Sequence, residues 1–589
     1  MATRLALSGQ RQVSARLAAP VPLLRNGGRT APGGAGAGVA EGFLPSRAPR
    51  IERTGDEEMA GPDGQLHAFP DLVIAQDAAL FTPAAPVRRL AQQQRVRHTK
   101  LDLLRAHGME PYPVAVARTT TVSAALAAAH ASNTETVTGA SEPLSIVGRV
   151  RAVRDFGGVT FGVLDEGGVH LQVLLAGEHT PRDQAWLWRH TVDLGDLVSV
   201  TGHPGRSRSG QPSLLVTDWA MASKCLRPLP DARAGFTDPE ARVRQRYLDL
   251  IVNPESMAMM QARSRAVAAL RAAFVARGFA EVETPMLQAI HGGATARPFR
   301  THINAYNADL YLRIAPELFL KHLCVGGMSR IFELNRNFRN EGADATHNPE
   351  FTSVEAYAAH EDYVSMRVLT RELILDVATA VHGEPVVLQP HPDGSLTKVR
   401  IDGDWPVVSI HEAVSRATGV ELTTASSRED VCAVAAAHGV HAPATMTAGE
   451  IVLELYDELV EKQTTFPTFY TDFPLETSPL TRRHRSDPAL SERWDLVAFG
   501  AEIGTAYSEL IDPVDQRQRL TEQSLKAAAG DLEAMEVDEA FLTALEYAMP
   551  PTGGLGIGVD RLIMMLTGAN IRATLAFPFV KPDAASPQR

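Results

Sequence analysis

Residues 332–341 read FELNRNFRNE and residues 345–357 read ATHNPEFTSVEAY. Successive side chains of an extended chain point to opposite faces. Alternation therefore puts Glu333, Asn335, Asn337, Arg339 and Glu341 on one face of the first segment. It puts Phe351, Ser353, Glu355 and Tyr357 on one face of the second, which reads as the return strand. A wholly polar strand face within an apolar region lines a wet or ligand-filled site; standing alone, each segment would equally suit a solvated edge.

A third stretch repeats the pattern. In AEIGTAYSEL (501–510), strand character after Gly504 places Thr505, Tyr507 and Glu509 together and turns Ala506, Ser508 and Leu510 away. Burying a carboxylate beside an aromatic is costly unless a cation meets it. Three such faces in one region point to a shared site. GGLGIGVDRLIMML (553–566) adds glycines that permit close backbone approach, then Arg561 at a strand–helix junction. A guanidinium there suits a phosphate, because its fork donates in pairs. The glycine spacing matches neither the Rossmann nor the Walker arrangement. Two arginines, an aromatic for a base, and Asp495 and Glu502 as oxygen ligands for Mg²⁺ suggest phosphoryl- or nucleotidyl-group chemistry run by positioning and charge.

The surrounding sequence divides the chain of 589 residues. Residues 1–94 are expected to be a disordered extension: the first 40 hold five arginines, no acid, and the run GGRTAPGGAGAG. An organelle transit peptide is the alternative reading of that stretch. Residues 95–230 begin with a helix-like segment (RVRHTKLDLLRAHG). Five short alternating strands follow, LSIVGRVRAVR, GVTFGVLD, VHLQVLLA, DLVSVTGHP and PSLLVTDWAMA, with RDQAWLWRHT as a helix among them. That pattern predicts a small barrel of the OB type, which often binds single-stranded nucleic acid; the alternative is a structural cap.

From residue 231 helical stripes alternate with strand pairs, an α+β pattern. Val267, Leu270, Phe274 and Val275 mark a helix over 255–277, EVETPML a strand ended by Pro285, and 409–463 an alanine-rich helical insertion. The net charge of −12 argues against a generally basic nucleic-acid binder. Its acidity sits C-terminally: residues 95–230 carry 14 basic and 12 acidic side chains, residues 231–589 carry 33 and 49. No apolar run approaches the roughly 20 residues that span a bilayer. Cys225, Cys324 and Cys432 lack metal-ligand spacing and suggest a reducing compartment, so a cytoplasmic protein without membrane insertion is expected.

The motifs resemble those of the class II aminoacyl-tRNA synthetases. GFAEVETPML is similar to motif 1, FRNEG with HNPEF to motif 2, and GLGIGVDRL to motif 3. IHGGATARPF, YLRIAPELFLK, RVRQRYLDL and ALEYAMPPTGGLGIGVDRL resemble signatures of lysyl-tRNA synthetases, over roughly residues 95–580. The resemblance implies an N-terminal OB-fold β-barrel binding the anticodon, followed by a catalytic domain on an antiparallel sheet flanked by helices. It implies ATP-dependent activation of L-lysine, transfer to tRNA(Lys), Mg²⁺ accompanying ATP, and a homodimer formed through motif 1.

Residue by residue, the resemblance implies that Arg339 holds the α-phosphate and the amino-acid carboxylate, and Arg561 the γ-phosphate. Phe351 would stack on adenine, with Glu341, His347 and Asn348 around the nucleotide. Asp495 and Glu502 would bind Mg²⁺. Glu317 and the Gly293 backbone would take the α-amino group, Glu509 and Tyr357 the ε-ammonium, with Glu355 lining the same pocket. In the barrel, Phe161 and Gln172 fall near anticodon-reading positions and Arg149 and Arg154 near backbone contacts.

Where the family pattern resembles E-I-G-N-G-F-S-E, this chain has Thr505, Ala506 and Tyr507, and Asp495 replaces the usual metal-binding glutamate. WDLVAFGAEIGTAYSELIDP looks more like the synthetase half of actinobacterial bifunctional lysylphosphatidylglycerol synthases, a half normally fused to a membrane transferase that is not expected here. Lysine ligation for lipid lysylation, or to a non-tRNA acceptor, is therefore the alternative enzyme reading. A non-catalytic paralogue is a third, opposed by intact Arg339, Arg561 and Glu502. The sister aspartyl and asparaginyl enzymes share the motif order, but their ligands do not call for an acidic side-chain pocket.

Overall fold

The structure is a computed structural model that describes residues 92–132, 142–230, 236–391, 393–531 and 533–581. The expectation for residues 1–91 lies outside the described residues. A helix, Gln92–Ala106, begins inside the stretch expected to be extension.

Five strands close a barrel: β1 (Leu144–Asp155), β2 (Val159–Glu166), β3 (Val169–Ala176), β4 (Leu197–Arg206) and β5 (Pro212–Ser223), in the order β1-β2-β3-β5-β4. Alternation drives closure, because Ile146, Val150, Leu164, Val173, Val200 and Leu214 point inward and are buried. Gly167 and Gly168 adopt φ of 61° and 89°, the two left-handed positions that a tight β2–β3 hairpin requires. The helix Arg182–Thr191 adds Trp188, packed edge-on against Trp219 with centroids 5.0 Å apart.

The second body is an eight-stranded sheet. Its strands are β6 (Ala280–Glu281), β7 (Arg330–Phe338), β8 (Glu350–Ala359), β9 (Val407–Ser409), β10 (Thr468–Pro474), β11 (Leu490–Ala498), β12 (Ala501–Ser508) and β13 (Thr552–Gly558). The order is β9-β10-β11-β12-β13-β8-β7-β6, antiparallel except at its two edges, where β9–β10 and β7–β6 pair parallel. Helices Pro254–Ala276 and Tyr363–His382 cover one face. Phe332, Val354, Ala356, Trp494, Leu496, Ala506, Leu555 and Ile557 from the strands pack there against Leu270, Phe274, Leu373 and Ile374. The opposite face carries the polar residues, the arrangement of an antiparallel sheet with one wet side.

Several expectations change. EVETPML is not one strand: Glu281 pairs beside β7, with Val282 N donating once more to Phe332 O at 2.9 Å, and beyond Pro285 Leu287 pairs with Leu312 in a separate small sheet. In the helix over 254–276 Leu270 and Phe274 are buried, but Val275 is exposed, on the flank away from the sheet. Within 409–463, helices Ile410–Thr418, Arg428–Ala437 and Ala448–Leu459 are capped by Ser409, Ser427 and Thr447 and hold a core of their own around Val414, Val431, Ile451 and Leu455. Among the described residues no helix is long and apolar enough to cross a membrane.

Candidate active site

Strand register assembles the wet face in rows. Asp495, Thr505, Gly556, Glu355 and Glu333 lie abreast on β11, β12, β13, β8 and β7; Arg493, Tyr507, Gly554 and Tyr357 form the next row. The central strand β13 contributes glycines to both rows, so the floor is bare backbone. A cavity of about 630 Å³ stands over it. Its walls include Gly293, Glu317, Arg339, Glu341, His347, Asn348, Phe351, Glu355, Tyr357, Glu502, Thr505, Tyr507, Glu509 and Arg561. The catalytic-domain residues to which the resemblance gave a role are therefore brought together, save Asp495; Glu333 and Asn335 do not reach the cavity.

Simple alternation fails at Glu502, which is odd in parity with Thr505, Tyr507 and Glu509. The strand begins before Gly504, at Ala501, and Ile503 is an extra residue: Leu496 pairs Gly504 and Val497 pairs Glu502. This β-bulge turns Glu502 back to the cavity, as bulges beside active sites do.

One end of the cavity is acidic. Glu509 is 2% exposed and Glu317 6%. Both meet Lys321, which is wholly buried one turn after Glu317 in the helix Glu317–Val325: its Nζ lies 2.7 Å from Glu317 Oε1 and 2.5 Å from Glu509 Oε2. So the cation already waiting at Glu509 belongs to the chain itself. Glu509 Oε1 has no hydrogen-bond partner. Tyr357 donates to Glu355 Oε2 at 3.3 Å. Burial, then the nearby Glu317, pushes the Glu355 carboxyl well above the usual carboxylate range, and burial likewise raises Tyr357. Gly293 has φ of 84°, and a side chain there would press its β-carbon to 2.9 Å from Glu317 Cβ.

The other end is basic. The Arg339 guanidinium carbon lies 5.1 Å from the centroid of the Phe351 ring, and its buried Nε has no hydrogen-bond partner. Arg561 donates from Nη1 to the Glu502 carbonyl at 2.8 Å and from Nη2 to His347 Nε2 at 3.0 Å. Because Nε2 accepts, His347 carries its proton on Nδ1, which faces Asp344 Oδ2 at 2.9 Å. Asn348 is held by the chain: its Nδ2 bonds Glu350 O, and its Oδ1 accepts from Phe579 N at 2.9 Å.

For Mg²⁺ arriving on a nucleotide, Glu502 fits: its carboxylate is part-exposed in the cavity, and phosphate oxygens and water complete the shell of such an ion. Asp495 is turned aside. Arg493 grips both its oxygens, Nε at 3.0 Å and Nη2 at 2.7 Å, and it does not line the cavity. Among the described residues no three His, Cys, Asp or Glu side chains are grouped to hold a metal by themselves.

Part of the polar face of β7 is structural. Glu333 is buried and bonded to Arg313 at 2.7 Å and Thr284 at 2.7 Å, and Asn335 accepts from Ser353, so both close a polar layer beneath the cavity. Removing one partner of a buried pair such as Arg313–Glu333 costs about 3–5 kcal/mol. Sequence reasoning missed Lys321 and Arg493. The i,i+4 spacing of Glu317 and Lys321 in ELFLK was the available signal for the first.

In the barrel, Arg154 pairs Phe161 across β1 and β2, while Gln172 pairs Val163 across β2 and β3 and donates to Ser213 Oγ at 2.8 Å. An exposed Phe156 meets Phe161 edge-on at 5.8 Å. Arg149 is not with them. It lies toward the start of β1, paired with Asp165, and its Nη1 donates to Gly195 O at 2.7 Å.

Comparison with known proteins matches residues 238–581 to the family of class II tRNA synthetases (D, K and N), and residues 144–221 to the OB-fold nucleic acid binding domain. The lysylphosphatidylglycerol biosynthesis bifunctional protein LysX of Gordonia bronchialis is 53% identical over 553 residues, 93% of this chain and 47% of that protein. LysX of Mycobacterium avium is 54% identical over 494 residues, 84% and 41% of the two chains. LysX of Mycobacterium tuberculosis is 50% identical over 561 residues, 92% and 47%. The chain spans about half the length of the curated relatives it matches. The paired acidic and basic ends over an antiparallel sheet thus have their family: the chain belongs to the class II tRNA synthetases of the D, K and N group.

Proposed function

We propose that this chain activates L-lysine with ATP to lysyl-adenylate and that the lysyl group serves lipid lysylation, with tRNA(Lys) as its carrier. The observation that carries the lysine reading is the cavity end walled by Glu317, Glu355 and Glu509, a surplus of carboxyls suited to a diamine. The names of the relatives, lysylphosphatidylglycerol biosynthesis proteins, favour the lipid destination.

The substrate carboxylate is already an anion and needs no general base. It attacks the α-phosphorus of ATP; the new C–O–P bond forms as the α–β bridge breaks and pyrophosphate leaves with the electron pair. Arg339, beside Phe351, holds the α-phosphate and that carboxylate; Arg561, with His347, Glu341 and Asn348 around the nucleotide, holds the γ-phosphate. Glu502 would hold the Mg²⁺ of the nucleotide, which would screen the phosphate charge, and Asp495 steadies Arg493 through both its oxygens. Catalysis here is alignment plus charge compensation. Gly293 and Glu317 take the α-amino group, Glu509 and Tyr357 the ε-ammonium, and Thr505 and Tyr507 wall the methylenes. A terminal hydroxyl of tRNA then attacks the lysyl carbonyl and AMP departs.

Arg154, Phe161 and Gln172 form the anticodon-reading face, with Arg149 a contact at the far end of β1. Exposed Val275, Met286, Leu287 and Tyr306 near motif 1 suit a homodimer interface. The expected compartment is the cytoplasm, where ATP and tRNA are found.

A second reading, charging of tRNA(Lys) for translation, is supported by the barrel. Purified protein given labelled lysine, ATP and tRNA should form lysyl-tRNA under either reading; exchange of pyrophosphate without charging would point to a non-tRNA acceptor. Deleting the coding sequence should deplete lysyl-phosphatidylglycerol while leaving the pool of lysyl-tRNA largely intact. A collapse of that pool would favour translation.

A further inference from the structure

The activation chemistry above leaves one buried cation without a role. Lys321 has no exposed side-chain surface, sits between Glu317 and Glu509, and lies 5.9 Å from the Phe541 ring centroid. Among the described residues it is the cation that pairs with any of the three carboxyls at this end, Glu317, Glu355 and Glu509. We propose that Lys321 is a positioning and specificity-determining residue that bridges Glu317 and Glu509 and holds the two carboxyls apart in fixed places, one for each ammonium of a diamine substrate.

The inference rests on the reading of lysine as substrate. Glu317 and Glu509 flank Lys321, and lysine brings an α- and an ε-ammonium, one for each of these two carboxyls. Without the bridge, Glu317 and Glu509 would repel one another in a dry pocket and take up protons more readily. A buried ammonium is itself costly, and its two carboxylate partners are what make it tolerable. The bridge also holds Oε2 of Glu509 2.5 Å from the Lys321 ammonium and leaves Oε1 over the bare backbone of Gly554. An ammonium arriving from the cavity meets a carboxylate already oriented and already ionisable.

The groups facing Glu509 are Glu317, Lys321 and Cys324 from the helix Glu317–Val325 and Tyr357 from β8, with Glu355 and Tyr507 lining the same cavity. Burial pushes the Glu509 carboxyl up to about 8, Lys321 opposing and Glu317 assisting. Burial holds the Cys324 thiol at about 12 and raises Tyr507 as well. Glu509 is thus a group of this end that titrates near neutrality. The ionised form binds an ammonium, so affinity for lysine rises with pH and levels off above about 8.

The test is Lys321→Met in the full chain, read by lysine-dependent ATP–pyrophosphate exchange across the pH range. The KM for lysine should rise about tenfold or more at neutral pH, and the levelling point should move up by about a unit, each unit being tenfold at fixed pH. The KM for ATP should not move. A folded Lys321→Met protein with the parental lysine profile would overturn the proposal. If that variant does not fold, Lys321→Arg keeps the charge and should keep the parental profile; a displaced profile would overturn it equally. Failure of the parental chain to exchange with lysine at all refutes the substrate reading instead, so the two failures are distinct.

Discussion

Gly554 lies directly beneath Glu509: a β-carbon on Gly554 would stand 1.9 Å from Glu509 Oε1 and 2.7 Å from Tyr357 Cε1. Both neighbours are buried, and Glu509 is tethered through its other oxygen to Lys321. Gly554→Ala should therefore displace the Glu509 carboxylate and lower kcat/KM for lysine by about 100-fold, the cost of a misplacement near 1 Å. The KM for ATP, set at the far end of the cavity, should hold. Steady-state exchange kinetics with each substrate varied in turn will show it; a parental KM for lysine would mean that Glu509 Oε1 does not meet the substrate.

Arg561 is held by its own fork, one arm on the Glu502 carbonyl and the other on His347. Lysine at this position keeps charge but loses the paired donors. Arg561→Lys should raise the KM for ATP by about tenfold, the worth of roughly one charge-assisted hydrogen bond, with the lysine KM little changed. Equal rises in both constants would place Arg561 elsewhere in the reaction.

Activation and charging should separate in the barrel. Phe161 sits half-buried opposite exposed Arg154, with the exposed ring of Phe156 edge-on against it. Loss of one stacked base is worth about 1–3 kcal/mol. Phe161→Ala should weaken tRNA charging correspondingly while leaving ATP–pyrophosphate exchange at its parental rate. Loss of exchange as well would show that the barrel supports the catalytic sheet rather than tRNA.

The back of the sheet depends on aromatic packing. Phe274 is fully buried, stacked on Phe332 at 4.7 Å and edge-on to Phe279 at 5.4 Å. Phe274→Ala should cost about 3–5 kcal/mol of stability. Chemical denaturation with and without ATP and lysine measures it; a cost below about 1 kcal/mol would mean that the helix over 254–276 is not fixed to the sheet by this contact.

Much of this architecture was legible because alternation is a strong constraint where one sheet face is buried. The barrel strands and the faces of Phe351, Glu355, Tyr357, Thr505 and Tyr507 follow from period two alone. Three features were not. The bulge at Ile503 breaks parity through one extra residue that no local composition marks, so only the pairing register reveals why Glu502 shares a wall with Glu509. Asp495 has a metal ligand's chemistry, yet Arg493, two residues before it on the same strand face, claims both its oxygens. Lys321 was hidden by its own pairing: in sequence a lysine after an apolar run reads as a solvated end, and only the fold shows it sealed between two carboxylates. The electrostatic wiring between elements depends on tertiary contacts, which hydrophobic period does not encode.

The central claim is that the acidic end of the cavity selects lysine for activation. ATP–pyrophosphate exchange measured with each of the twenty amino acids in turn tests it most directly. Lysine alone should drive exchange well above background. No exchange with lysine, or comparable exchange with aspartate or asparagine, would contradict the account.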